Sequence, residues 1–159
     1  MAPSHTIFIY GTLLDNDILR FVLGRDISLE NRINASLHGY AKYTYPGDSF
    51  PILQPQLDAQ AHGAVLLGLT SEDLDRMNFY EGDEYGFAEV EVVLENGSLC
   101  QAHYNKASDE EIITDESWSL EAWQQTHKAT FLEYTARYMA LYGKMSVDEA
   151  DEMIFGYVL

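Results

Sequence analysis

The sequence predicts an α+β domain built on a curved or closed sheet. Three observations lead there. Strand-like segments dominate the first two thirds of the 159 residues, and the longest run of helical spacing comes last. The order along the chain, β-α-β-β-α-β-β-α-α, lacks the strict strand–helix alternation of a doubly wound parallel sheet. No repeat or linker interrupts it, and a chain of this length forms one domain with a real core.

His5 to Tyr10 is a short β-rich run stopped by Gly11. After it, Asp15 or Asn16 caps a short helix carrying Ile18, Leu19 and Val22, with Gly24 as its stop. Ile33 to Tyr45 leans to strand, with Gly39 as a bulge; Pro46-Gly47 marks a turn, and Pro51 to Gln60 reads as irregular chain. His62 to Leu69 is a continuous apolar run of the kind found in buried strands. Thr70 to Asp73 opens a helix with a capping hydroxyl and acids suited to the N-terminal dipole, and Gly82 follows its end. Phe87 to Leu94 alternates apolar and acidic residues, and Asn96-Gly97 predicts a hairpin through a type I′ turn into Leu99 to Asn105. From Trp118 the spacing becomes 3 or 4, through Leu120, Trp123, His127, Phe131, Tyr134, Tyr138 and Leu141, and predicts one amphipathic helix of about seven turns. Gly143 ends it, and Ser146 with Glu149 forms a capping box for a short last helix.

Composition narrows the function. Nine Lys and Arg against 26 Asp and Glu set the net charge at −17, so the chain has no cationic stripe for nucleic acid or for an anionic membrane. The charge is uneven: residues 1–53 carry a net of −1, and the window from Glu72 to Glu121 holds fifteen acids against Arg76 and Lys106. Most of these acids read as solvated surface. A single cysteine excludes an internal disulfide framework and suits a reducing, cytoplasmic setting. No apolar run approaches the ~20 residues of a membrane-spanning helix, and Met1 to Thr6 lacks a cationic leader.

Most chemical motifs are missing. His5, His38, His62, His103 and His127 are scattered, with no pair at metal-ligand spacing, so no metal is expected. Cys100 reads as a small buried hydrophobe on the face of Ala102 and Tyr104. There is no nucleophile elbow, Walker A loop or dinucleotide fingerprint. Two constellations remain. Tyr10-Gly11-Thr12-Leu13 ends the first strand, and its amides either make an ordinary strand-to-helix turn or converge on an anion such as a substrate carboxylate. Glu81 follows Phe79 and Tyr80 and precedes Gly82, Asp83 and Glu84. Burial beside an aromatic and nearby like charges would raise its pKa toward a proton shuttle; the alternative is a surface glutamate in a turn.

Taken in order, Tyr10-Gly-Thr-Leu13, Tyr45-Pro46, His62-Gly63 before an apolar strand, and Leu74-Asp75 with Tyr80-Glu81-Gly82 and Tyr85 resemble the γ-glutamylcyclotransferase-like (AIG2-like) family. Trp118, Trp123 and Phe131-Leu132 resemble the helical extension of some members. The resemblance implies a small closed mixed β-barrel flanked by helices, one domain with its barrel over about 5–106 and a C-terminal extension over about 117–159. It implies a loop of Tyr10, Gly11, Thr12 and Leu13 that holds the α-carboxylate of a γ-glutamyl small molecule. Glu81 then matches the catalytic glutamate, Tyr85 a pocket aromatic, and Tyr104, less closely, another. No cofactor is implied, and the protein would be a monomer or homodimer. The implied reaction is attack of the substrate's α-amine on its own γ-carbonyl, releasing 5-oxoproline and a free amine. Members commonly carry a basic residue two positions after the tyrosine, where this chain has Phe87. A non-catalytic module binding a small carboxylate or a protein end, and a hydrolase or acyltransferase using the same pocket, are the competing readings.

Overall fold

Two hairpins build the sheet. β2 (Arg32–Thr44) pairs antiparallel with β3 (Pro51–Leu69), and β4 (Tyr85–Leu94) pairs antiparallel with β5 (Leu99–Ala107). β1 (His5–Ile9) lies antiparallel to the second half of β3, and a parallel contact between Ile7 and His103 of β5 closes the barrel in the order β1-β3-β2-β4-β5. The α+β class and the closed mixed barrel are as expected. The computed structural model describes residues 5–45, 49–81, 85–107 and 116–155, without the side chains of residues 5, 81, 85–87, 105–107, 151, 152, 154 and 155. Pro46-Gly47, Gly82 to Glu84 and the acidic segment 108–115 lie outside the described residues.

The run from Ile7 to Tyr10 is buried on both faces because it separates two cores. Successive strand residues point to opposite sides. Phe8 and Tyr10 enter the barrel interior with Val65, Val92 and Tyr104, whereas Ile7 and Ile9 meet the helices. Those helices are α1 (Asn16–Leu23), α2 (Ser71–Glu81), α3 (Leu120–Thr126), α4 (Lys128–Met139) and α5 (Val147–Phe155). Asp15 caps α1 by accepting from the amides of Asp17 and Ile18. Thr70 and Asp73 cap α2 reciprocally: the Thr70 hydroxyl accepts from the Asp73 amide, and the Asp73 carboxylate accepts from the Thr70 amide. Ser146 and Glu149 repeat that arrangement at α5. Among the described residues, no helix is long and apolar enough to cross a membrane.

Three expectations need correction. Residues 51–60 are strand, not irregular chain: among the described residues they pair with β2 alone, so Pro51 and Pro55 can sit where a missing N–H removes nothing from that ladder. The register slips between His38 and Tyr40, where Gly39 has φ +85° and Asp58 opposite has φ +67°. The Asn96-Gly97 turn is not type I′, since only Gly97 has positive φ, +88°. Instead the Gly97 amide bonds Leu94 O, and the Asn96 side chain accepts from the Ser98 amide. The last long helix is two, α3 and α4, divided at His127 with φ −119°. One residue of altered φ hardly changes the phase of the apolar stripe, so the spacing conceals the break. Trp123 and Phe131 still meet across it, edge to face with centroids 5.3 Å apart.

Candidate active site

Tyr10, Gly11, Thr12 and Leu13 leave the end of β1 and tighten into a single 3-10 turn over Thr12–Leu14, closed by the Leu14 amide on Gly11 O and the Asp15 amide on Thr12 O. The amides of Thr12 and Leu13 open that turn and therefore have no acceptor within it. Gly11 is required sterically: a Cβ there would lie 2.9 Å from Pro51 Cγ, at the tip of the long β2–β3 hairpin. Gly63 has the same function one strand over, where a Cβ would come within 2.1 Å of Ile9 O. Both glycines of the expected pattern thus let one backbone approach another element closely.

Four groups fasten the turn. Arg32 donates to Leu14 O and to the Asn16 side chain. Asp15, buried, accepts from Gln124 at 2.9 Å and Lys128 at 3.0 Å, which ties the C-terminal helices to the end of the turn. Burial alone would raise the Asp15 pKa, but the bonds from Gln124, Lys128 and the Ile18 amide outweigh it and hold the carboxyl below its ordinary value. Thr12, also buried, shares a hydrogen bond of 2.7 Å with the Tyr80 hydroxyl. The Tyr80 ring in turn meets Phe131 of α4 edge to face at 6.3 Å.

The Tyr10 and Tyr104 rings stand 6.3 Å apart at 64° on the barrel side of the turn. The structure therefore brings together Tyr10, Gly11, Thr12, Leu13 and Tyr104 from the expected set. Glu81 is the last residue of α2, next to Tyr80, and Tyr85 is the first of β4. The side chains of Glu81, Tyr85 and Phe87 lie outside the described residues. Cys100 packs against the barrel interior as a partly buried hydrophobe. Among the described residues no group of His, Cys, Asp or Glu is placed to hold a metal ion. Sequence reasoning overlooked Asp15 as a hub, because a capping aspartate gives no sign that a partner over a hundred residues away will use its second oxygen. It also passed over Pro51, which approaches the turn only through the folding of the hairpin, and Lys42, which the same hairpin sets against Trp118.

A glycine turn thus leaves the first strand of a closed mixed barrel, and the end of α2 is hydrogen-bonded to it. The chain belongs to the γ-glutamyl cyclotransferase, AIG2-like family, whose model matches residues 7–120. It is 31% identical over 134 residues to AIG2-like protein A of Arabidopsis thaliana, covering 81% of this chain and 78% of that one. A solution structure of an Arabidopsis thaliana protein matches with a TM-score of 0.65 at 25% identity, over 100% of this chain and 95% of its own. The yeast γ-glutamyl cyclotransferase specific to glutathione shares the fold, with a TM-score of 0.55 at 14% identity over 98% and 97% of the two chains.

Proposed function

We propose that this protein is a cofactor-independent γ-glutamyl cyclotransferase acting on a small γ-glutamyl compound. The observation that carries the reading is the Thr12–Tyr80 hydrogen bond, which fastens the end of α2, one residue before Glu81, to the glycine turn. Amides at the start of a helical turn suit a carboxylate, so the turn holds the substrate's α-carboxylate through the Gly11–Leu13 backbone. Holding that end brings the α-amine against the γ-carbonyl, a proximity effect. Glu81 takes a proton from the amine as its nitrogen bonds the γ-carbon. The bond to the departing nitrogen then breaks, and Glu81 returns the proton to it. No water is consumed, and the products are 5-oxoproline and a free amine. Tyr10, Tyr104 and Tyr85 wall the pocket in this reading.

The test offers the protein a panel of γ-glutamyl amino acids and amines and measures 5-oxoproline. Activity that falls by about a hundredfold or more in Glu81→Gln supports the reading. Equal activity of E81Q, or release of glutamate instead of 5-oxoproline, overturns it.

A further inference from the structure

We propose that Lys42 is a specificity-determining residue of this site, its ammonium receiving a second anionic group carried on the leaving amine of the substrate. The inference rests on the cyclotransferase reading above. Lys42 lies on β2 beyond the Gly39 bulge, opposite Leu53 of β3. Alternation puts Lys42, Leu53 and Pro51 on one face of the hairpin arm, and Pro51 is the residue that presses on Gly11. The neighbours of Lys42 belong to the two cores that β1 separates. Leu53 packs with the barrel interior around Tyr10 and Tyr104, and Trp118 packs with the helical core around Leu13. The Lys42 Nζ sits 5.5 Å from the centroid of the Trp118 ring. That ring is held in place by its own indole N–H on Ser49 O and by its backbone N–H on Lys42 O.

Among the described residues this ammonium has no carboxylate partner. Burial lowers its pKa to about 8. A desolvated lysine whose neighbour is an aromatic face lacks half of a charge pair. A ligand anion supplies that half, and it meets the least repulsion in residues 1–53, where five acids and four bases leave a net of only −1 out of the −17. With the turn amides on the α-carboxylate, the cation on the hairpin face is left for a group at the far end of the substrate, past the scissile bond. Compounds that carry an acidic leaving amine are then preferred over those whose leaving amine is neutral or cationic.

The test uses a matched pair, γ-glutamylglycine and γ-glutamylethylamine, which differ by a carboxylate against a methyl group. The ratio of their kcat/KM values is measured by 5-oxoproline release for the wild-type chain, Lys42→Met and Lys42→Gln, each checked for folding by its melt. The expected result is a wild-type ratio that favours γ-glutamylglycine and falls at least tenfold in K42M and K42Q. The loss should appear in KM for γ-glutamylglycine and exceed any change with γ-glutamylethylamine. A ratio that does not move in a folded variant overturns the role of Lys42 and leaves the cyclotransferase reading standing. Absence of 5-oxoproline from every γ-glutamyl compound with wild-type protein overturns that reading, and this inference with it.

Discussion

Thr12 Oγ1 and Tyr80 Oη lie 2.7 Å apart across 68 residues of sequence. This bond joins the two motifs that the proposed chemistry needs, one on the turn after β1 and one at the end of α2. Removing it with Tyr80→Phe leaves the ring against Phe131 and takes away only the hydroxyl. The expected cost is about 1 kcal/mol of stability. A turn and a helix end that drift relative to one another should also lower kcat/KM by roughly tenfold or more. Thr12→Val should do the same, and the double variant T12V/Y80F should be no worse than either alone. Denaturant melts and 5-oxoproline kinetics on the four proteins test this; additive losses would mean that the two hydroxyls act separately.

Asp15 couples the turn to α3 and α4, which lie mostly beyond the residues matched by the family model. Lys128→Met removes a cation from a buried carboxylate that keeps its two backbone donors and Gln124. The expected loss at pH 7 is about 2 kcal/mol. The folded pKa of Asp15 lies below the ordinary 3.8. Its contribution is therefore complete above the unfolded value and is lost as the pH falls through the folded one. The gap between wild type and K128M should accordingly be constant from pH 5 to 7 and close below pH 3.8. Urea unfolding across that range decides it, and a gap that widens in acid would contradict the assignment.

What was legible in the sequence follows the range of the forces involved. The capping residues Asp15, Thr70 and Ser146 act within four positions, so a single strand of text contains both partners. The apolar run His62–Leu69 likewise announces a buried strand, and Ala64, Val65 and Leu66 are fully buried. The order of the barrel could not be read from periodicity, because closure depends on β1 meeting β5 at Ile7 and His103, a pairing that leaves no local mark. Residues 51–60 were misread for a related reason: prolines report the local ladder, and only the sheet order reveals that, among the described residues, this stretch pairs with β2 alone. The site divides the same way. The glycine turn was visible as a motif, whereas Tyr80 on Thr12, Pro51 on Gly11 and Lys42 beside Trp118 are products of chain crossings.

Gly11 and Gly63 should differ in how they tolerate a methyl group. At Gly63 the added carbon would stand 2.1 Å from a backbone oxygen, Ile9 O, inside a paired sheet that cannot shift locally. At Gly11 it would stand 2.9 Å from a side chain, the Pro51 ring, rather than from backbone. Gly63→Ala is expected to lose about 3 kcal/mol or to fail to fold, and Gly11→Ala about 1 kcal/mol. G11A should nevertheless show the larger rise in KM among folded variants, because it displaces the turn itself. Melting temperatures with steady-state kinetics separate the two effects; a G63A protein as stable as wild type would contradict the close approach of β1 to β3.

Lys42 offers a last prediction, in which stability and activity should move in opposite directions. Its pKa falls from 10.5 to about 8 because the folded chain desolvates the ammonium. Between these values the unfolded chain binds more protons than the folded one, so stability from this group rises with pH across that window. Below pH 8 the folded protein carries the full cost of the buried charge, of the order of 2 kcal/mol after allowance for the partial exposure of the side chain. Lys42→Met has similar length and no charge, and it should be more stable than wild type by about that amount at pH 7. The advantage should shrink from pH 8 upward and vanish near pH 10.5, as read by urea unfolding at pH 7, 9 and 10.5. The same substitution is expected to reduce discrimination between acidic and neutral leaving amines. A variant that is stabler and less selective is the outcome expected of a cation held for a ligand. A K42M protein less stable at pH 7 would instead make the lysine part of the framework.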